Sequence, residues 1–559
     1  MAQGRGFRGL KTKGGKIAVN TIVTLIFGAL YFYFSLPAIN LHDRSLYVFV
    51  GLLCVVYFFC ALITSGVNLS REEGVKGYFC FIKNQCLPMG ILFAILIVVA
   101  IFGAIISMPI LRSGAYRDLL TVETGDFSSD VEQVSYNEIP MLDEASAQRL
   151  GDRKLGELSD MVSQFEVSDD YTQINYLGCP VRVTYLQYGD FFKWLNNRSE
   201  GLPAYIRIDM VTQEVEVQRL SDLGLGGIKY SPTELFGRKL ERHLRFNYPT
   251  FMFSDATFEI DENGHPYWVC PKVEMTIGLF GGKDIDGAVL VDAISGECTY
   301  YAYEEVPTWV DRVYLASLIM EQYDYHGTYI NGFLNSIFGQ RDVTVTTAGY
   351  NYIAMNDDVY MYTGVTSVSS DQSNIGFLLS NQRTKETVYY AAPGAVEQSA
   401  INSAEGMVQD LGYEATWPLL LNVSGEPTYF MSLKDASQLV KQYAMVNVAQ
   451  YQIVATGVTV AECESNYLKL LAQAGISTEE DLQKHEAEGI VEEIRTMVVE
   501  GTTYFCIRLT GENVFYAISA ANYPEVIALD PGEYVWIEHQ MMDQDNESPL
   551  LNGYSIRFK

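Results

Sequence analysis

The first fifth of the chain is organised by three long apolar runs. Each run is bounded by charged residues and holds no Asp, Glu, Lys or Arg: 17–42, 45–70 and 84–111. About 20 helical residues cross roughly 30 Å of hydrocarbon, and a segment in lipid must satisfy its backbone hydrogen bonds internally. The pattern predicts transmembrane helices at 17–36, 45–64 and 89–110. A cleaved signal peptide is the alternative for the first run, but no small-residue cleavage site follows Leu36 and two further runs come after it.

The charged flanks of these runs predict an orientation. The tail 1–16 carries five Lys or Arg, and the loop after the second run carries Arg71, Lys76 and Lys83, whereas the loop between the first two runs has only Arg44. The positive-inside rule places the tail and the second loop in the cytoplasm. Three crossings then leave residues 113–559 outside, so we expect a multi-pass protein of the cell membrane.

Composition separates the chain into two regions. Residues 1–112 hold ten Lys or Arg and three Asp or Glu, which leaves 28 basic and 65 acidic residues for 113–559. With 48% hydrophobic residues the chain is a folded protein. Its net charge of −30 repels phosphate backbones and disfavours nucleic acid as a partner.

After a predicted linker at 112–130, short β-rich runs alternate with single helices, a pattern typical of the α+β class. An amphipathic helix is predicted over 143–165. Three stretches have a shared strand–turn–strand pattern, with Asp, Ser or Asn opening the turn and Glu closing it: 204–217, 288–300 and 375–389. We therefore predict α+β units at 131–225, 226–330 and 331–456.

The middle unit has the clearest signals. Ser231-Pro-Thr-Glu234 predicts a capping box that opens a helix, and Asn263-Gly264 predicts a tight hairpin turn. The helix, the hairpin and a strand ending in Val-Asp-Ala-Ile-Ser-Gly-Glu-Cys, residues 291–298, together resemble the PepSY family. That resemblance implies a small extracytoplasmic α+β module, in a family linked to peptidase regulation and to envelope proteins. Ser295 in place of Thr and an inserted stretch at 278–282 depart from the family pattern.

The C-terminal region 457–559 is predicted to hold a helical pair and a small sheet. Leu433, Ala436, Leu439 and Tyr443 follow a helical repeat ahead of it, and Ser477 opens a helix predicted to end near Gly489. Five strands are expected at 490–499, 503–510, 513–519, 525–529 and 533–538. They fit a small closed barrel of the oligonucleotide/oligosaccharide-binding or SH3-like type, or equally an ordinary antiparallel sheet.

No motif for a reaction is present. The six histidines are scattered, and no nucleophile elbow, zinc helix or phosphate loop occurs, so we predict no catalytic, cofactor-binding or metal residue and no cofactor. Two calcium-loop-like fragments, at 261–264 and 284–287, are interpreted as turns because they lack the distal ligands. Adjacent carboxylates at Asp357 and Asp358 are expected to be solvated. Nine cysteines form no disulfide framework, although Cys270 and Cys298 could pair.

The predicted spans themselves contain no Asp, Glu, Lys, Arg or His, which disfavours a transporter. Two small-x-x-x-small pairs, Gly90 with Ala94 and Gly103 with Ser107, could pack helices closely. The favoured interpretation is a membrane-tethered extracytoplasmic binding or regulatory protein of the bacterial cell envelope that contacts a protein, a peptide or a wall polymer. The alternatives are an accessory subunit of a membrane complex and an envelope enzyme whose acidic site is assembled from distant residues.

Overall fold

The computed structural model describes most of the chain: residues 13–65, 72–131, 139–355, 358–368, 373–476, 485–499, 502–512, 514–520, 523–539 and 550–558. The chain forms two compact units. The first comprises 1–125, 142–371 and 375–390, and the second comprises 126–141, 372–374 and 391–559. Most of the basic tail 1–16, with Arg71, lies outside the described residues.

The three predicted apolar helices are present. They are α1 (Lys13–Ser35), α2 (Arg44–Ser65) and α3 (Glu72–Ile106). The segments long and apolar enough to cross a membrane are Gly14–Ser35, Arg44–Thr64 and Gln85–Ile106. The third ends before the predicted residue 110, because Met108 is extended and Pro109 opens a separate short helix, α4 (Pro109–Arg117).

The predicted linker is built into the fold. It contains the end of α4, then β1 (Glu123–Gly125) and α5 (Phe127–Asp130). Tyr116, Leu120 and Phe127 are buried. These apolar residues were not recognised because they follow neither a helical nor a strand period and lie on separate short segments.

Four successive segments share one topology: a helix, then five strands in which the third pairs with the first, the second and the fourth, and the fourth pairs with the fifth. The first is α6 (Glu144–Gly156), β2 (Phe165–Val167), β3 (Thr172–Tyr176), β4 (Cys179–Tyr188), β5 (Ala204–Asp209) and β6 (Val215–Arg219), with α7 (Phe191–Asn197) inserted before β5. The second is α8 (Leu240–Asn247), β7 (Met252–Phe253), β8 (Thr257–Ile260), β9 (Pro266–Ile277), β10 (Gly281–Asp292) and β11 (Cys298–Ala302).

The third segment is α9 (Ala316–Thr328), β12 (Thr344–Thr346), β13 (Asn351–Met355), β14 (Asp358–Ser367), β15 (Ser373–Asn381) and β16 (Thr387–Ala395). Its sheet gains β1, which pairs in parallel with β16. The fourth is α10 (Glu397–Met407), β17 (Glu414–Ala415), β18 (Leu419–Val423), β19 (Glu426–Lys434), β20 (Val440–Asn447) and β21 (Val454–Gly457). We call these four segments the repeats.

One turn recurs between the fourth and fifth strands of every repeat. The side-chain oxygen of the residue that ends the fourth strand accepts a hydrogen bond from the backbone N–H three residues later. The donor–acceptor distances are 2.8, 3.0, 3.0 and 2.8 Å for Asp209, Asp292, Asn381 and Asn447, respectively. Asp and Asn favour this local bond over a continued ladder, so the side chain itself stops the strand.

Several predicted elements end or fold differently. The helix expected over 143–165 stops at Gly156, and β2 begins at Phe165. The capping box at Ser231 does not form: the Glu234 carboxylate accepts from the Trp194 indole N–H at 2.8 Å, and α8 begins only at Leu240. The helix expected across Leu433–Tyr443 is wrong, because those residues form the end of β19, a turn and the start of β20.

The first and second repeats share one apolar core, and the second and third share another. Trp268 and Cys270 of β9 enter the first core, whereas Val269 between them enters the other. Strand alternation thus places the sheet of the second repeat between two apolar layers. Ala38, from the loop between α1 and α2, is also part of the second core.

The C-terminal elements are α11 (Val460–Gln473), β22 (His485–Val499), β23 (Thr502–Leu509), β24 (Phe515–Ser519), β25 (Tyr534–His539) and β26 (Leu550–Phe558). The strands pair in the closed order β22-β23-β24-β26-β25. Two expectations are corrected. The segment 525–529 is mainly a 3₁₀ turn, Pro524–Ala528, and not a strand, and the helix predicted to end near Gly489 is replaced there by β22; residues 477–484 lie outside the described part.

Candidate functional site

The ends of the apolar helices are held by the second repeat. Arg242 and Arg245 of α8 donate from Nε to the carbonyls of Tyr33 and Leu36, at 3.1 and 3.0 Å. The last carbonyls of a helix lack intrahelical partners, and the dipole favours cations there. These two arginines therefore cap α1, and burial lowers the pKa of Arg245 without removing its charge.

The tip of the β9–β10 hairpin is seated on the end of α3. The Ser107 hydroxyl accepts from the backbone N–H groups of Leu279 and Phe280, at 2.9 and 3.0 Å. Gly103 leaves the space that Leu279 fills, because a Cβ at Gly103 would stand 2.5 Å from the nearest Leu279 atom. The His42 ring nitrogen lies 3.0 Å from the carbonyl of Leu279. We call this contact set the hairpin junction.

The hairpin junction gives a role to two features of the sequence. The inserted stretch 278–282, which departs from the PepSY pattern, is the tip that reaches the helices. Gly103 and Ser107 were interpreted as ordinary membrane-helix composition that could also pack helices closely, and here they contact a β-hairpin. The Gly-x-x-x-Ser spacing permits a close contact with either a helix or a hairpin tip. The sequence alone therefore did not indicate which of the two binds there.

An acidic cleft of about 480 Å³ opens beside this hairpin. Its lining is polar and includes carboxylates from several elements: Glu123, Glu274, Asp284, Asp286 and Glu386. The Lys385 ammonium donates to both oxygens of Asp284, at 2.7 and 2.8 Å, and to the carbonyl of Leu119 at 3.0 Å. Lys272 pairs with Asp286. Two of the carboxylates are thus neutralised, while those at the mouth remain exposed.

This cleft corrects one expectation. Asp284 and Asp286 were interpreted as turn residues, but they lie on β10 at a β-bulge between Ile285 and Gly287. The other fragment is a turn as predicted, since Asp261 accepts from the N–H groups of Asn263 and His265 at 2.9 Å each. Asp357 lies outside the described residues, and Asp358 is paired with Arg383 at 2.7 Å instead of being solvated.

A pair of carboxyl groups is buried where the first three repeats meet. Glu259 and Asp311 are 0% and 1% exposed. Glu259 accepts from the Asp311 backbone N–H at 2.9 Å and from the Thr257 hydroxyl at 2.9 Å, and Asp311 accepts from the Asn175 backbone N–H at 2.7 Å. Burial raises the pKa of both carboxyl groups, and for Asp311 the neighbouring Glu259 charge raises it further.

Cationic and aromatic groups surround the pair without opening it to solvent. The Arg312 guanidinium lies 4.0 Å from the Tyr352 ring centre and also bonds to the Tyr352 hydroxyl. Arg182 is buried nearby and donates to the carbonyl of Leu142 at 3.3 Å. An acid that is closed off from solvent cannot touch a substrate, so this pair is a structural element of the core.

The described residues include potential metal ligands and cysteines on several elements. Among them no group of three or more His, Cys, Asp or Glu side chains could hold a metal ion. Cys270 and Cys298, for which the sequence left a disulfide open, are free thiols, and β10 lies between their strands. Burial raises the pKa of the Cys298 thiol to about 11 and also raises that of Cys270, which makes both poor nucleophiles.

No protein-family model and no curated protein matches this chain. The fold and the hairpin junction therefore define its class by themselves. It is a mixed α+β protein with three N-terminal helices that are long and apolar enough to cross a membrane. Its second repeat contacts the ends of α1 and α3.

Proposed function

We propose that this chain is a membrane-tethered extracytoplasmic binding or regulatory protein of the bacterial cell envelope. The observation that carries the proposal is the attachment of the second repeat to the ends of both α1 and α3. A body docked on those ends lies on the same side as the short α1–α2 loop. The positive-inside rule assigns that side to the exterior, because the opposite flanks carry the basic residues.

The repeats support a PepSY-like interpretation of the exterior part. Each combines one helix with an antiparallel sheet, and the second carries the Val-Asp-Ala-x-Ser-Gly-Glu turn. The terminal closed sheet is proposed to be a small binding barrel of the oligonucleotide/oligosaccharide-binding or SH3-like type. In this proposal a protein, peptide or wall polymer is the ligand, and the exterior surface meets it with a net negative charge.

Two other functions are less well supported. An envelope enzyme would need acids with raised pKa that reach a substrate, and the buried pair Glu259 and Asp311 is enclosed and does not. An accessory subunit would use the apolar helices for docking, and the open space around Gly90 on α3 leaves a surface for a partner helix. Crosslinking on whole cells followed by mapping of the attached partner separates these proposals: attachment within 113–559 supports the binding protein, and attachment within 13–106 supports the subunit.

The orientation can be tested with paired reporters. Alkaline phosphatase fused after Lys559 should be active and green fluorescent protein at the same position dark, because the first folds only after export and the second only in the cytoplasm. Fusions after Ser65 are the matched control and should give the opposite pattern. A fluorescent, phosphatase-inactive fusion at Lys559 would refute the proposed localisation.

A further inference from the structure

The first unit exposes two groups of large apolar side chains. One group, the α7 surface, is formed by α7 and the segments before and at the end of α8: Phe191, Phe192, Leu195, Leu235, Phe236 and Phe246. The other, the 330–338 surface, follows α9: Ile330, Leu334, Ile337 and Phe338. Phe192 is 73% and Phe338 82% exposed. Contiguous exposed apolar patches on a folded domain mark a contact with another apolar body.

The α7 surface is continuous with the end of α1. The Phe246 ring lies 5.7 Å from that of Phe32 and 6.4 Å from that of Tyr33, and both partners belong to the first apolar span. Arg242 bonds to the carbonyls of Tyr33 and Phe236, at 3.1 and 2.6 Å. The Arg242 side chain therefore connects Phe236 to the apolar span.

The rest of the α7 surface extends from Phe236. Its ring lies 5.9 Å from that of Trp194, which lies 5.5 Å from that of Phe191. Basic groups border these rings, and the Arg198 guanidinium lies 5.4 Å from the Trp194 ring centre. Aromatic rings edged by Lys or Arg are typical of protein at the level of lipid headgroups.

The 330–338 surface is connected in the same way to the end of α3. The Tyr116 hydroxyl donates to the carbonyl of Ser107 at 2.6 Å, one residue beyond the third apolar span. The Tyr116 ring lies 6.5 Å from that of Tyr329, which lies 6.2 Å from that of Phe333. The exposed side chains of Leu334 and Phe338 follow directly in the chain.

We propose that both surfaces enter the headgroup region of the bilayer, so that the first unit rests on the membrane in addition to being tethered by its helices. Each surface continues an apolar span at the point where that span leaves the lipid. A side chain at this level is either buried in lipid or exposed to water, and burial in lipid is favourable for large apolar groups. The inference rests on membrane insertion of α1–α3, but not on which face of the membrane is outside.

The test places a fluorescent probe on each surface of the full-length protein. Phe192→Trp and Phe338→Trp are reconstituted separately in vesicles of phosphatidylcholine whose acyl chains carry bromine, a contact quencher of indole fluorescence. The wild-type signal from the five native tryptophans is subtracted. We expect quenching at least about twofold stronger than in a control, because the substituted rings would be within contact of lipid.

Leu177→Trp is the matched control. Leu177 is 66% exposed, in the turn before β4. Its neighbour Tyr176 bonds to the carbonyl of Glu262 in the turn before β9, and that turn precedes the end of β9 remote from the hairpin tip. The 12 residues of β9 separate the two ends, which corresponds to about 36 Å at the rise of an extended strand.

Each outcome decides one surface. Quenching of Trp at 192 or at 338 no stronger than at 177 overturns the proposal for that surface. If a second copy of the chain covered a surface, lipid would be excluded and the quenching result would be negative in the same way. Crosslinked dimers at low lipid content would identify that case. Failure of α1–α3 to insert is distinguished because the protein would then not float with the vesicles at all. Equal thermal unfolding of the variants and the wild type confirms that the substitutions preserve the fold.

Discussion

At the scale of single residues, the most unusual groups are carboxyl side chains that are buried away from solvent. Glu464 on α11 is 5% exposed, and burial raises its pKa to about 8. An acid whose pKa is higher in the folded state binds its proton more tightly when folded. Its contribution therefore favours folding at low pH, and this advantage declines as the pH rises from the unfolded value near 4.3 toward about 8.

We predict that Glu464→Gln stabilises the second unit at neutral pH. The amide cannot ionise, so the variant avoids a penalty on the order of 3 kcal/mol at pH 7. Hydrogen exchange of the α11 amides should be slower than in the wild type at pH 8, after correction for the intrinsic rate, and equal at pH 4.5. Glu414→Gln, at an exposed position of β17, is the control and should leave exchange unchanged at both pH values. Equal exchange of the wild type and Glu464→Gln at pH 8 would contradict the prediction that ionisation of Glu464 destabilises the folded state.

At the scale of elements, the hairpin junction joins a strand tip to an apolar helix. Two backbone N–H groups depend on one hydroxyl, and the close approach depends on the absence of a side chain at Gly103. Losing the contact would leave buried donors unpaired, at a cost of about 1–3 kcal/mol. The junction is thus as sensitive to added volume as to lost hydrogen bonds.

Gly103→Leu should release the hairpin tip. We expect the amides of Leu279 and Phe280 to exchange about 10- to 100-fold faster in lipid nanodiscs, because the added side chain occupies the place of Leu279. Gly90→Leu on the same helix is the matched control, since no heavy atom lies within 4 Å of its Cβ position. Unchanged protection at 278–281 in Gly103→Leu would contradict the seating of the hairpin on α3.

The elements also show what sequence could predict. The three apolar helices follow from length and charge alone, and the turns at Asp209, Asp292 and Asn381 follow from a side chain bonding its own backbone. These are local causes. The fourth repeat was missed because its turn at Asn447 lacks the Ser or Thr and the Glu of the others, although it makes the same bond.

Errors arose where distant parts of the chain decide the structure. Glu234 was expected to cap a helix, but a buried indole and a tyrosine hydroxyl compete for its carboxylate. The apolar spacing across Leu433–Tyr443 fits a helix, yet β19 and β20 bury those residues in a sheet. The carboxyl pair of Glu259 and Asp311 comes from positions 52 apart in the chain and has no local signal.

At the scale of the whole molecule, charge is the dominant feature. The region 113–559 carries 65 acidic and 28 basic residues, so its folded state concentrates negative charge that the unfolded chain can disperse. Salt screens such repulsion when the Debye length of the solution is shorter than the distance between the charges. The Debye length falls from about 30 Å at 0.01 M salt to about 10 Å at 0.1 M. Buried groups such as Glu259 and Asp311 are screened much less.

The two effects predict a separable dependence of stability on pH and salt. Between pH 5 and 8 the melting temperature should fall as the pH rises, because surface repulsion grows and because the raised pKa values of Glu259 and Asp311 impose an ionisation cost. Raising NaCl from 0.01 to 0.1 M should remove the surface part and leave the buried part. Glu259→Gln should then flatten the residual slope at 0.1 M, while an exposed control, Glu274→Gln, should not. Calorimetry of the full-length protein in nanodiscs measures both slopes. A slope abolished by salt alone in the wild type would mean that the protonation state of the buried pair does not change in this range.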